Sequence, residues 1–136
     1  RDVYGRYFSE WVPYEIEKAR EDNDTAYTLY GRPRILPDLR SGDKQKREAA
    51  EREAISHIIQ GTAADIIRLA MLRFVRVRYG RMILSVHDEL VSTVDNDRVE
   101  WYSKAMEEAM LLDQPFKDVP LVVDVTSGND WQSCHK

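Results

Sequence analysis

Covalent cross-linking has little to work with in this sequence. Its 136 residues include one cysteine, Cys134, so no disulfide can form within the chain and a disulfide-stapled secreted scaffold is excluded. No apolar run approaches the roughly 20 residues that span a bilayer. The opening Arg1-Asp2-Val3-Tyr4 also lacks the apolar stretch of a signal peptide. No membrane partner is therefore expected, and an intracellular place fits best. Repeats and low-complexity linkers are absent. Methionine is missing from the first position, which fits a piece of a longer chain. What is present is a 43% apolar composition, enough at this length for one domain with its own core.

The formal charge of -4 conceals a segmental asymmetry. Residues 1 to 31 hold 4 basic and 7 acidic side chains, residues 32 to 81 hold 12 and 6, and residues 82 to 136 hold 4 and 11. A basic middle of this kind could follow a phosphate backbone. On charge alone the commoner explanation, a long solvated helix with mixed charges, is preferred.

Along the chain, Tyr4, Tyr7, Phe8, Trp11, Tyr14 and Ile16 recur at spacings of three and four, which predicts an amphipathic helix from Asp2 to about Asp22. Pro13 either kinks this helix or begins it anew in a first turn. Two short strands around a turn at Tyr30-Gly31 come next, and Pro37 and Gly42 mark a loop. From Gln45 to Tyr79 there is no proline and one glycine, Gly61, so a single long helix is expected. Ala54, Ile55, Ile58, Ile59, Thr62, Ala63, Ile66, Ile67 and Ala70 trace its apolar stripe. Gly61 costs such a helix about 1 kcal/mol relative to Ala, so close packing or a bend should explain it. Residues 82 to 86 and 90 to 94 are β-rich runs flanking His87-Asp88-Glu89, a hairpin with a charged tip. Asp95 or Asn96 can cap a further helix running to about Leu112. Leu121 to Val125 read as a closing strand.

The tip His87-Asp88-Glu89 is the strongest chemical signal, because ordinary hairpin turns prefer Asn-Gly or Asp-Gly. Two carboxylates at the mouth of a sheet can hold Mg2+, a hard cation that completes its shell with water and substrate phosphates. A solvated polar turn is the plainer alternative. Arg52, Ser56 and Gln60 recur every four residues, roughly 6 Å apart along a helix. That spacing suits a minor groove, although an exposed helix face explains it as well. Arg32, Arg34, Arg40, Lys44, Lys46 and Arg47 gather where several could reach duplex phosphates, or serve solubility alone. His57, among isoleucines, reads as a packed or partly exposed histidine with no ligand role. Trp11, Trp101 and Trp131 read as core anchors.

Residues 60 to 67, Gln-Gly-Thr-Ala-Ala-Asp-Ile-Ile, together with 85 to 91, Ser-Val-His-Asp-Glu-Leu-Val, resemble the family A DNA polymerases. The resemblance extends upstream through residues 28 to 38 and downstream to 119 to 125 and Gly128-Asn129-Asp130-Trp131. It implies a single partial domain over residues 1 to 136, the carboxy-terminal palm with adjoining helices at the base of the fingers. The implied fold is α+β, an antiparallel palm sheet with a metal-binding β-hairpin packed against a long helix and flanking helices. Asp88 then looks like the family's second metal-binding aspartate, Glu89 like its neighbouring carboxylate, and His87 like the residue that meets the primer terminus. Arg52 and Gln60 look like minor-groove contacts to primer and template. Ser56 stands where the family usually has Asn, shortening one such contact. Pro33 replaces a basic residue beside Arg32 and Arg34, which weakens a phosphate contact there.

The implied reaction is template-directed nucleotidyl transfer on primer-template DNA, using deoxynucleoside triphosphates and two Mg2+ ions about 3.5 to 4 Å apart. The family's other essential aspartate, in an Asp-Tyr-Ser type motif, is not in this sequence, nor is the fingers helix that binds the incoming nucleotide. An amino-terminal polymerase segment or subunit is therefore expected as a partner, and the isolated chain is expected to be inactive. Two other readings stand beside this one. The chain could be a non-catalytic primer-template binding module working through Arg52, Gln60 and His87. A single-subunit RNA polymerase fits less well, because Glu89 matches the DNA-polymerising pattern better than the Ser expected there.

Overall fold

The computed structural model describes residues 3 to 111 and 120 to 134. Its elements, in order, are α1 (Val3–Arg6), a π turn (Tyr7–Trp11), α2 (Val12–Glu21), β1 (Thr25–Tyr27), β2 (Pro33–Ile35), α3 (Lys44–Ser56), a second π turn (His57–Gly61), α4 (Thr62–Phe74), β3 (Gly80–Val86), β4 (Glu89–Val94), a 3-10 turn (Asn96–Arg98), α5 (Val99–Leu111) and α6 (Trp131–Cys134). This is the mixed helix and antiparallel sheet architecture expected. The chain falls into two compact units, Arg1–Asp65 and Ile66–Lys136.

The first unit forms where two helices carry alanine on facing sides. Ala19 of α2 and Ala50 and Ala54 of α3 are buried with Ala26, Leu36, Leu39 and Ile58, and Trp11, Ile16 and Ile55 pack at the edge. Small residues there let the helices approach closely. Both alternatives for Pro13 resolve into one device. Proline lacks the N–H that a regular helix needs, and here it lies in the first turn of α2, directly after the π turn, which closes through the Val12 N–H to the Tyr7 carbonyl. Strands β1 and β2 pair antiparallel, Thr25 opposite Ile35 and Tyr27 opposite Pro33. Gly31, at φ 79°, supplies the left-handed residue their turn requires. Asp43 caps α3, its carboxylate accepting from the Gln45 N–H at 2.8 Å.

The second unit has a smaller core of Phe74, Tyr102 and Ala109, with Val77, Met82, Val94 and Met106 against it. The end of the long helix and α5 thus cover one face of the β3–β4 hairpin, as expected. Gly80 is required by this packing, since a Cβ there would lie 2.1 Å from the Tyr102 ring.

Several expectations are corrected. The long helix ends at Phe74 rather than Tyr79, and Tyr79 is left-handed at φ 74°. The Asp95 side chain makes no cap bond; its carbonyl accepts from the Arg98 N–H instead. Residues 121 to 125 join no strand ladder among the described residues, and Val122 is 78% exposed. A β-rich sequence becomes a strand only through a paired neighbour, which composition cannot supply. Trp101 and Trp131 are about half exposed, at 51% and 46%, so neither is a core anchor. No described helix is long and apolar enough to cross a membrane.

Candidate nucleic-acid interface and catalytic hairpin

On the long helix, Arg52 and Gln60 are exposed and Ser56 is half-buried. Neither Arg52 nor Gln60 hydrogen-bonds or ion-pairs with any described residue, which leaves both polar ends available to a ligand. The π turn begins directly after Ser56 and contains Gln60. Being wider than an α turn, it rotates the downstream residues relative to a regular helix. The apolar stripe is shifted accordingly: Ala54, Ile58, Thr62 and Ala70 are buried, whereas Ile59 is 48% exposed and Ala63 is exposed.

Gly61 closes this turn, and close packing is its reason. A Cβ on it would lie 2.8 Å from the Thr28 methyl group of the β1–β2 turn. His57 is buried, and its Nε2 lies 3.0 Å from the Arg32 carbonyl. A carbonyl only accepts, so that nitrogen carries the proton. This is a satisfied core histidine, in line with its reading from sequence.

The basic cluster is largely engaged within its own unit. Arg32 donates through Nε to Asp65 Oδ1 at 2.8 Å and through Nη2 to the Gly61 carbonyl at 3.0 Å. Arg34 pairs with Glu53 at 2.9 Å on the surface, Arg40 with Asp24 at 2.8 Å, and Lys44 with Glu48 at 3.7 Å. Arg47 donates to the Ser41 carbonyl. Lys46 is exposed and, like Arg52, makes no such bond to a described residue. Much of the positive charge of this segment is thereby balanced locally. Surface pairs such as Arg34–Glu53 are weak enough to exchange for phosphate; Arg32, with a mostly buried carboxylate partner, is not in the same position.

In the hairpin, Val86 pairs with Glu89, so the loop is His87-Asp88 and Glu89 is the first residue of β4. His87 adopts φ 53° while Asp88 does not have positive φ, and a positive φ at the first position of a two-residue hairpin loop normally belongs to glycine or asparagine. The left-handed conformation costs a non-glycine residue about 1–2 kcal/mol. A bulge between Met82 and Leu84 shifts the register. Without it, alternation would put Leu84 on the same face as Met82. With it, Leu84 lies opposite Val91 and is 46% exposed, on the face that carries Glu89 and away from Leu90 and Val94. Sequence reasoning missed this bulge; the run Met82 to Val86 carries no glycine or other signal for it.

His87, Asp88 and Glu89 are all exposed, and neither His87 nor Asp88 bonds to a described residue. Among the described residues no group of three or more His, Cys, Asp or Glu side chains comes together to hold a metal. The oxygen donors of Asp88 and Glu89 have the right chemistry for magnesium but form an incomplete set.

The carboxyl end contributes a small capping motif. Asp130 accepts from the Ser133 N–H at 2.8 Å, and the Ser133 hydroxyl accepts from the Asp130 N–H at 3.1 Å. The hydrogen bond from the Ser133 backbone, then the one from its side chain, holds the Asp130 carboxyl below its usual range. Gly128 is needed beside it, because a Cβ would lie 2.2 Å from the Ser133 hydroxyl.

Known proteins are similar to this chain in sequence and in fold. The sequence profile described as DNA polymerase family A matches residues 5–133. The thermostable DNA polymerase I of Thermus thermophilus is 42% identical over 94% of this chain, which spans 16% of that protein. DNA polymerase I of Mycobacterium tuberculosis is 41% identical over 87% of the chain, which spans 13% of it. Among solved structures, the POL domain of Pol1 from M. smegmatis, in complex with DNA primer-template and dNTP, superposes with a TM-score of 0.85 at 37% identity. That match covers 93% of this chain and 23% of the other. The chain thus spans about a sixth of the length of the Thermus relative.

Proposed function

The chain belongs to DNA polymerase family A, and on that premise we propose that it is the carboxy-terminal palm portion of a DNA-directed DNA polymerase. In this reading a primer 3′-hydroxyl attacks the α-phosphorus of a deoxynucleoside triphosphate. A new P–O bond forms, the bond to the bridging α,β-oxygen breaks, pyrophosphate leaves, and the hydroxyl proton passes to water. The observation that carries the reading is the tip of the hairpin. Asp88 is exposed and unpartnered among the described residues, on a two-residue loop whose first residue, His87, is held in a strained left-handed conformation. Strain kept in this way is characteristic of functional positions.

Asp88 would hold magnesium, with Glu89 as the adjoining carboxylate, and the missing oxygen ligand would come from an upstream segment or partner chain. Magnesium, when bound as a two-ion site, supplies Lewis-acid stabilisation of phosphate oxygens. His87 would orient the primer's terminal nucleotide. Arg52 and Gln60 would donate to minor-groove acceptors that every base pair presents, giving grip without sequence choice. Ser56 reaches less far and would act through water. Arg34 would exchange Glu53 for a duplex phosphate. The intracellular setting follows from the reaction.

Primer extension tests this, with the chain alone, with an upstream polymerase segment, and with Asp88→Ala in that pair. Extension is expected from the pair and lost in the variant. Extension that survives Asp88→Ala would overturn the catalytic assignment. A second reading, a non-catalytic primer-template module, draws on the incomplete carboxylate set beside the unpartnered Arg52 and Gln60. Duplex binding with no extension from any pairing would favour it.

A further inference from the structure

We propose that Arg32 is a positioning residue rather than a DNA contact: it clamps the π turn of the long helix and so sets the direction in which Gln60 meets the duplex. The role of Gln60 rests on the function proposed above; the clamp itself does not.

The clamp is read from both ends of the turn. At its start, His57 donates to the Arg32 carbonyl at 3.0 Å. At its end, Arg32 Nη2 donates to the Gly61 carbonyl at 3.0 Å, and Nε donates to Asp65 Oδ1, one helical turn further, at 2.8 Å. The same residue is fastened to the β1–β2 turn, where its N–H donates to the Thr28 hydroxyl at 3.1 Å. The neighbouring Leu29 N–H donates to Thr62 Oγ1 at 3.0 Å, directly after the π turn. Arg32 thus ties one turn of chain to the first residue, the last residue and the next turn of the π segment.

A π turn is rare because its geometry is poorer than that of an α-helix, and it persists where surrounding contacts hold it. The planar guanidinium suits this task, since two donors at a fixed angle can meet a backbone carbonyl and a carboxylate together. Asp65 is 10% exposed in its side chain, so moving Arg32 to a phosphate would leave a carboxylate largely withdrawn from water without this cation. The product of the clamp is an orientation. If the turn relaxed to regular α-helix, every residue after it would rotate, and Gln60 lies inside it.

The experiment uses the whole chain, a primer-template duplex and fluorescence anisotropy across a salt series, with Arg32→Lys, Arg32→Ala, Asp65→Asn and Gln60→Ala. Lysine keeps the charge but cannot reproduce the fork. The clamp therefore predicts that Arg32→Lys weakens duplex binding about as much as Arg32→Ala, roughly tenfold. Asp65→Asn should weaken it similarly, the salt slope should not change, and in a Gln60→Ala background Arg32→Lys should add less than about twofold. A phosphate contact predicts the opposite pattern: Arg32→Lys retains affinity, Asp65→Asn tightens binding, and Arg32→Ala lowers the salt slope by about one. That pattern would overturn the proposal.

Amide hydrogen exchange supplies a readout that needs no DNA. Arg32→Lys should speed exchange at residues 57 to 62 by about tenfold or more while amides of the Ala19–Leu36–Ala54 core keep their protection. Unchanged exchange at the turn, or loss of protection throughout the unit, would overturn the clamp even if the wild-type chain bound no duplex. Absence of duplex binding would by itself count only against the function proposed above.

Discussion

The π turn of the long helix, in the first unit, and the hairpin of the second both present exposed polar residues, yet they are held in different ways. Around the π turn, Arg32, His57, Thr28 and Thr62 brace the backbone from a neighbouring strand turn, and Gly61 is packed too closely to carry a side chain. The outward residues Arg52 and Gln60 then need no support from their own side chains. At the hairpin tip the support is local: a bulge, a two-residue loop and a left-handed His87. The braced helix holds Arg52 and Gln60 outward on a fixed backbone, whereas Asp88 is left free on a strained tip.

The sharpest way to break this contrast is to remove the free carboxylate. Asp88→Ala should abolish extension in the reconstituted enzyme, a loss of about a thousandfold or more, corresponding to several kcal/mol of transition-state stabilisation. Because Asp88 supports no described contact, the urea midpoint should not move. Leu39→Ala should show the reverse. This side chain is fully buried in the first core, and its truncation should cost about 2–5 kcal/mol in urea unfolding. Extension per folded molecule should be unaffected. Arg52→Ala should weaken duplex binding by about 1–3 kcal/mol in anisotropy titrations, without altering stability. His87→Gly should relieve left-handed strain of about 1 kcal/mol, partly offset by the greater freedom of glycine in the unfolded chain. A net gain in thermal stability with reduced extension is the expected signature, and a loss of stability would mean that the tip is not strained.

The smallest effect concerns pH. The Asp130 carboxyl titrates below its usual value of 3.8, so its contribution to the terminal turn is present above that value. It is lost as pH falls through the lower folded value. The Ser133 amide signal should shift toward its unfolded position in that acid range and not between pH 5 and 8.

Much of the architecture was legible in the residues alone. The spacing of Tyr7, Trp11 and Ile16, the run from Gln45, and the alternation around residue 87 located the first helix, the long helix and the hairpin, because burial imposes those periods on any chain that folds this way. The family resemblance identified Asp88, Arg52 and Gln60 as candidates, and the matched profile over residues 5–133 agrees with that family. Less legible were features that depend on what lies opposite. Leu84 faces outward only because of a bulge, and Ile59 is exposed where the stripe expected burial. Val122 lies in a β-rich run without a ladder.

Arg32 shows the division most clearly. The sequence by itself determined that a cation stands beside a glycine turn, that helices come after it, and that a histidine and two carboxylates share the tip of a later hairpin, since these depend on residue type and order. Only the tertiary structure decided that the cation is turned inward to Asp65 and Gly61, 33 and 29 residues away, because hydrogen-bond partners at that separation are selected by packing and leave no periodic mark in the chain.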